Sequence, residues 1–186
     1  MVTERAQEKR RRMLEAARLV VLRDGLRGAT MEAIAREAGI AKATLYAQFS
    51  DKDAVVGALV ETMLDALMEA FEAGMASDGD AAERIGDGLA RQYLALARML
   101  EGSPHATEIM SAHKRLGLSL QDRDIAMVNR IEAVLADAGI ADPRALTRLV
   151  VAASYGIAFK TRDEVAMAAG IRLLCRRLIE PETASA

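Results

Sequence analysis

The sequence is poor in the residues on which small disulfide-linked, metal-bound or strand-rich proteins depend. It has no tryptophan, one cysteine and three prolines among 186 residues, and only 3% of its residues are aromatic. A single cysteine, Cys175, excludes an intramolecular disulfide and disfavours a cysteine-based zinc site. No apolar run approaches the roughly 18 residues that span a bilayer, and the basic N-terminus leads into no apolar segment. We therefore expect a cytoplasmic protein with no membrane partner.

Enzyme classes with recognisable motifs are also disfavoured. The sequence has no glycine-rich phosphate loop, no His-Glu-x-x-His and no Gly-x-Ser-x-Gly. His105 and His113 are eight residues apart, which is no metal-ligand spacing. Cys175 lies on an apolar stripe and is expected to be an inert buried thiol. We therefore expect no enzyme, no cofactor and no metal.

Hydrophobic spacing throughout the chain is helical. The apolar fraction of 52% suffices for a core, and the apolar residues recur with the period of a helix. The pattern predicts an all-α protein of about nine helices, in which Ser50 caps a long fourth helix that ends near Phe71. Asp142 and Pro143 are typical of an N-cap and a first helical position. The shorter expected helices include Met31–Ala38, Lys42–Phe49 and about His105–Arg115.

The segment from Thr30 to Phe49 carries the most information. Two short helices are joined by a tight turn, in which Ala35 permits close helix packing and Gly39 permits a positive φ. This pattern is typical of a helix-turn-helix, whose second helix enters a major groove of DNA. An αα-hairpin inside a helical bundle gives the same pattern, so the pattern alone leaves both open. The expected shared core consists of Ile34, Ala38, Ile40 and Leu45.

Charge separates these alternatives. No acidic residue occurs between Ile40 and Ser50. Residues 1–52 hold 11 Lys+Arg against 7 Asp+Glu, a net charge of +4, whereas residues 53–186 hold 14 against 20, a net charge of −6. Since phosphate contacts need local positive charge, this distribution favours DNA binding by the N-terminal part. The outer surface of the second helix is expected to carry Lys42, Thr44, Tyr46 and Gln48.

At this point the residues resemble a known family. The motifs Thr30…Ile34-Ala35…Ala38-Gly39-Ile40 and Lys42…Thr44-Leu45-Tyr46…Phe49, with Lys52 opening the next helix, resemble the DNA-binding region of TetR-type transcriptional repressors. The resemblance implies a helix-turn-helix domain of three helices over residues 1–52. A long helix would join it to a larger ligand-binding and dimerisation bundle over residues 53–186. It further implies a bacterial repressor that binds a palindromic operator as a homodimer and is released by a small effector.

The resemblance also assigns roles to individual residues. Thr30, Tyr46 and Lys52 match positions that contact phosphate, although Thr30 also serves as an N-cap. Lys42, Thr44 and Gln48 are candidates for base-edge contacts, although some of them are expected to touch only phosphate or water. Many relatives have Gly where this chain has Ala43, and His or Tyr where it has Gln48. The base preference therefore cannot be transferred.

For the C-terminal part the resemblance implies a dimer interface and an effector pocket. The expected interface residues are Ala152, Ala153, Gly156, Ile171, Cys175 and Leu178, although these faces could pack only within one protomer. The candidate pocket residues, each of which could equally be ordinary core, are Tyr93, Met99, Met110, His113, Met127, Tyr155 and Phe159. The few aromatics favour a small apolar or amphipathic effector. A helical binding or adaptor module without DNA binding is the alternative function.

Overall fold

The computed structural model describes residues 2–110 and 121–183. All the regular secondary structure within these ranges is helical, which confirms the predicted all-α class. The nine described helices, close to the predicted number, are α1 (Val2–Gly28), α2 (Met31–Glu37), α3 (Lys42–Tyr46), α4 (Lys52–Met75), α5 (Ala81–Leu100), α6 (Ala106–Met110), α7 (Gln121–Asp137), α8 (Pro143–Lys160) and α9 (Glu164–Thr183).

The chain divides into two compact units. Unit 1 comprises the described residues within Met1–Leu64 and Leu100–Ser119, and unit 2 those within Asp65–Met99 and Leu120–Ala186. The division falls inside α4, so one continuous helix contributes to both units. The expected division of function at residue 52 stays a prediction.

Unit 1 is built on the apolar face of α1. That face is buried from Met13 onward, and the α2 residues Ile34 and Ala35 and the α3 residue Leu45 are also buried. Gly25 has φ 74°, a left-handed conformation that glycine adopts readily, and it interrupts the helical backbone of α1. The other residues of unit 1 with less than 2% exposure are Ala17, Val20, Val21, Leu26, Ala29, Val55 and Val56.

Unit 2 has one contiguous apolar core to which α4, α5, α7, α8 and α9 all contribute. Gly74 on α4 allows the closest backbone approach, because a Cβ there would lie 2.5 Å from the carbonyl group of Asp87. The Arg172 guanidinium of α9 forms a salt bridge of 2.6 Å with the Asp87 carboxylate of α5. The largest fully buried side chains of the unit are Phe71, Met75, Ile85, Leu89, Ile131, Leu135, Ile171 and Ile179.

Local capping signals explain several helix ends. The Asp142 carboxylate accepts a hydrogen bond of 2.9 Å from the Ala145 N–H, and Pro143 occupies the first turn, as predicted. At α5, Asp80 accepts from the Glu83 N–H and Glu83 accepts from the Asp80 N–H, which is a reciprocal capping box.

Three boundary predictions were wrong. Asp51, not Ser50, caps α4, because its carboxylate accepts the Ala54 N–H at 2.8 Å while the Ser50 hydroxyl donates to Asp51. The helix predicted to reach Phe49 ends at Tyr46, since the Gln48 N–H bonds the Leu45 carbonyl three residues back and tightens the chain into a turn. Finally, α4 continues beyond Phe71 to Met75.

The expected sixth helix is described only as far as Met110, and its remaining residues lie outside the described ranges. No described helix combines the length and the hydropathy needed to cross a bilayer.

Candidate nucleic-acid interface

The turn between α2 and α3 has the geometry of a helix-turn-helix. Gly39 has φ 65°, the Ile40 N–H bonds the Ala35 carbonyl at 3.0 Å, and the Gly39 N–H bonds the Arg36 carbonyl at 3.1 Å. These two bonds form a Schellman motif, which satisfies the last carbonyls of α2 and needs a left-handed residue at Gly39. The chain then enters α3 after only a few residues. This fixes α3 against α2 and leaves its outer side exposed.

Thr30 stands at the N-terminus of α2 in extended conformation. Its Oγ1 accepts a hydrogen bond of 3.1 Å from the Ala33 N–H, and the residue is exposed. Because the hydroxyl accepts this bond through a lone pair, its own proton can still be donated. The predicted N-cap is therefore present, and a phosphate contact is compatible with it.

Lys42 opens α3 and is already engaged. Its ammonium donates to the Glu32 carboxylate of α2 and lies 5.5 Å from the centroid of the Tyr46 ring. The hydrogen bond with Glu32 raises the pKa of Lys42 and lowers the pKa of Glu32. Glu32 thus competes with any phosphate for this lysine, which sequence reasoning missed because the two residues belong to different helices.

The other candidate contacts of α3 differ in their surroundings. Tyr46 is 43% exposed and Gln48 is exposed, but Gln48 lies in the turn after α3. Thr44 is half-buried, and the next residue, Leu45, is fully buried. Tyr46 and Gln48 can therefore reach a groove or a phosphate more readily than Thr44 can.

Lys52 begins α4 and ties it to α1. Its Nζ donates a hydrogen bond of 2.9 Å to the carbonyl oxygen of Leu26. An ammonium group carries three N–H donors, and the bond to Leu26 is the one that Lys52 makes within the described residues, so further donors can serve a phosphate. Lys52 is thus a structural link as well as a candidate phosphate contact.

A junction between α1 and the segment around α6 was not predicted. The Ser103 hydroxyl donates to the Leu22 carbonyl at 2.8 Å, and Glu108 accepts from the Leu26 N–H at 3.3 Å. A Cβ at Gly25 would lie 2.8 Å from side-chain atoms of both His105 and Glu108. The sequence signal for this junction is weak, because the bonded residues are more than 80 positions apart.

The candidate pocket residues do not lie together in one cluster among the residues that the structure describes. Met127 is 8% exposed inside the core of unit 2, and Tyr93 packs against that core. Tyr155 and Phe159 instead stack on the surface with ring centroids 4.3 Å apart. Met99 is half-buried on α5. His113 lies outside the described residues, and so does the side chain of Met110.

The candidate interface residues likewise differ in how far they are buried. Ala152 and Gly156 are exposed on α8, on the face that also carries Tyr155. Ala153 and Leu178 are half-buried. Two of the candidates, Ile171 and Cys175, have no exposed surface and belong to the core of unit 2. Burial also raises the pKa of the Cys175 thiol to about 12, so it stays protonated.

The sequence match is confined to unit 1. Residues 13–59 match the family model described as bacterial regulatory proteins, tetR family. That range contains α2, α3 and the start of α4. A comparison of the chain with curated proteins finds no match.

The structural likeness extends over nearly the whole chain. The fatty acid degradation regulator FadR from Bacillus halodurans is 17% identical with a TM-score of 0.67, and the alignment covers 92% of this chain and 95% of that one. A TetR-like transcriptional regulator from Rhodococcus sp. RHA1 is 20% identical, with a TM-score of 0.67 and coverage of 92% and 96%. Salmonella enterica GusR is 21% identical, with a TM-score of 0.64 and coverage of 93% and 96%. At these identities the likeness shows the fold.

The helix-turn-helix and the family match over residues 13–59 support a DNA-binding regulator. Residues 13–59 match the family model of the tetR regulators, and the chain shares its fold with solved TetR-like regulators. Regulators of that family bind DNA, act as dimers and are generally not enzymes.

Proposed function

We propose that this chain is a ligand-responsive repressor, which binds a palindromic operator as a homodimer and leaves it when a small effector binds. The observation that carries the proposal is the helix-turn-helix, in which the Gly39 turn presents an exposed α3 with no acidic residue between Ile40 and Ser50. Two copies of α3 would lie in successive major grooves about 34–36 Å apart.

The proposed contacts between the protein and DNA are of two kinds. Thr30, Tyr46 and Lys52 position the domain on phosphates, and these contacts do not depend on base sequence. Lys42 and Gln48 read base edges, with Thr44 in a minor role because it is half-buried. In this scheme Lys42 exchanges Glu32 for DNA when the complex forms.

An exposed apolar face on α8 supports the homodimer. Leu149, Tyr155 and Phe159 are 52%, 55% and 42% exposed, and they lie on one helical face with Ala152 and Gly156. Small residues beside large apolar ones let a second helix approach closely. On α9, Leu173 adds a further exposed apolar side chain. The interface that we propose is centred on these residues, not on Ile171 and Cys175.

Two features support a response to an effector. The helix α4 belongs to both units, so a shift caused in unit 2 would reach Lys52 directly. Residues after Leu100 continue from α5 of unit 2 and are hydrogen-bonded to α1 through Ser103 and Glu108. A coupling free energy of about 1–3 kcal/mol would change operator affinity by about 5–150-fold. The effector is expected to be small and apolar or amphipathic.

The proposal is tested by selecting bound DNA from a pool of random duplexes. Selected sequences should be palindromic, with half-site centres about one helical turn of 10 base pairs apart or a multiple of it.

The mass in solution should be twice the chain mass of 20.0 kDa. The double substitution Tyr155→Ser and Phe159→Ser should give monomers. The control Ile125→Ser, which changes an exposed apolar residue of α7, should leave the dimer intact. A monomeric wild type, or no enrichment of any duplex, would contradict the proposal.

A further inference from the structure

The first three turns of α1 are solvent-exposed on every described side. Every residue from Glu4 to Arg12 is exposed, and burial begins at Met13, where the family match also begins. These nine residues extend about 13 Å along the helix axis at 1.5 Å per residue. A helical segment with no buried face gains little from packing and is polar all round. Its charge therefore points to a partner outside the protomer.

Basic residues prevail on one face of this segment, where the neighbouring acid, Glu8, is three residues from Arg5 and four from Arg12. Arg5, Lys9 and Arg12 are spaced by four and three residues, so they share one face of the helix. None of the three makes a hydrogen bond or a salt bridge within the described residues. Arg11 lies on another side and is paired through two nitrogens with Glu8, at 2.9 and 2.8 Å. The bond from Arg11 is the main cause that lowers the pKa of Glu8, and the more distant charge of Arg12 contributes least.

The segment is anchored beside the recognition helix. The Arg10 guanidinium lies 4.9 Å from the centroid of the Phe49 ring, and Phe49 follows Gln48 in the turn that ends α3. Lys9 and Arg12 are one and two residues from this anchor along the chain, and they project from another side of α1. Unpaired cations next to a DNA-reading element fit a polyanion, and Lys and Arg are the side chains that most often bind phosphate.

We propose that Arg5, Lys9 and Arg12 form a second phosphate-binding surface, which contacts the DNA backbone beside the base pairs that α3 reads. This rests on the proposed function and extends it, because residues 1–12 lie outside the family match. The surface adds affinity without adding sequence preference, since phosphates are the same at every base pair.

The test is to measure duplex affinity as a function of salt for the full-length chain, using a mixed-sequence duplex of about 40 base pairs, which leaves flanks beyond two half-sites one turn apart. Replacement of Arg5, Lys9 and Arg12 by Gln keeps helix propensity and removes the charge. The slope of log affinity against log salt concentration (the salt slope) should become shallower by about 0.9 for each phosphate that the variant no longer neutralises. This should hold on duplexes of every sequence. Lys9→Gln alone should weaken binding more than Arg11→Gln, which removes the same charge from a paired residue two positions away.

The outcomes separate this proposal from the proposed function. If wild type binds and Tyr46→Ala weakens binding, but the triple variant keeps the wild-type slope, the second surface is wrong and the function stands. An effect restricted to A·T-rich flanks would indicate minor-groove readout and would overturn backbone contact. If wild type binds no duplex at low salt, both proposals fail. Circular dichroism of the triple variant checks that its helical content is unchanged.

Discussion

Lys52 and Glu108 hold the same residue from opposite sides of its backbone. The Lys52 ammonium donates to the Leu26 carbonyl at 2.9 Å, while the Glu108 carboxylate accepts from the Leu26 N–H at 3.3 Å. Both contacts lie within unit 1. A candidate phosphate contact and the segment around α6 therefore meet at the C-terminal end of α1.

Replacement of Lys52 by Met should have two effects. Loss of the bond to the Leu26 carbonyl should lower the free energy of unfolding by about 1 kcal/mol, and loss of the charge should make the salt slope of duplex binding shallower by about 0.9 per phosphate. Ser103→Ala is the control, since it removes the hydroxyl that donates to the Leu22 carbonyl and accepts from the His105 N–H, without changing charge. Chemical denaturation and duplex titration should show lower stability in both variants and a changed slope only in Lys52→Met. An unchanged slope in Lys52→Met would remove Lys52 from the interface.

Glu32→Gln should strengthen duplex binding. The substitution removes a carboxylate that now pairs with Lys42, so the lysine no longer has to leave an ion pair before it contacts DNA. We expect higher affinity at low salt on every duplex, measured by fluorescence anisotropy. Glu37→Gln on the same helix is the control, because its partner Arg23 keeps Asp24 as a second partner. Equal effects of the two substitutions would mean that Glu32 acts only through net charge.

Asp51 should make stability depend on pH in the acid range. Bonds from the Ala54 N–H and the Ser50 hydroxyl lower the pKa of this carboxyl in the folded chain. A lowered pKa stabilises the fold above the unfolded value of about 3.9, and this contribution is lost as pH falls through the folded pKa. Asp51→Asn keeps a capping oxygen but not the charge. Wild type should therefore exceed Asp51→Asn in stability near neutral pH, and the difference should shrink in acid. A constant difference would show that the charge is irrelevant.

Two glycines of α4 should respond in opposite ways to alanine. A Cβ at Gly74 would lie 2.5 Å from backbone atoms of Asp87 and Gly88, so α4 and α5 would have to separate. A Cβ at Gly57 meets nothing within 4 Å. Thermal unfolding should show strong destabilisation for Gly74→Ala and a gain of up to about 1 kcal/mol for Gly57→Ala. Similar melting temperatures for both variants would contradict the close approach of the two helices.

Local features of the fold were predictable from sequence, and long-range ones were not. The Gly39 turn and the Asp142 cap depend on residues a few positions apart, so the sequence pattern contains them. Lys42 and Glu32 are ten residues apart, Lys52 and Leu26 are 26 apart, and Ser103 and Leu22 are 81 apart. Nothing in the periodicity of one helix reveals such a partner.

The apolar pattern of α9 shows a second limit of prediction from sequence. Its residues Ile171 and Cys175 face the core of unit 2, whereas Leu173 is 53% exposed. The sequence shows that α8 and α9 are rich in apolar and small residues. It does not distinguish the face that packs inside the protomer from the face left over for a partner, because both faces carry apolar residues.

The central claim is that α3 docks on DNA through phosphate and base contacts. Its most direct test is the dependence of duplex affinity on salt for wild type, Tyr46→Ala and Gln48→Ala, with selected and unrelated duplexes compared. We predict a linear fall of log affinity with log salt, by about 0.9 per phosphate neutralised. Tyr46→Ala should weaken binding to all duplexes, and Gln48→Ala should change the preference at few positions. A flat salt response, or wild-type affinity in both variants, would contradict the account.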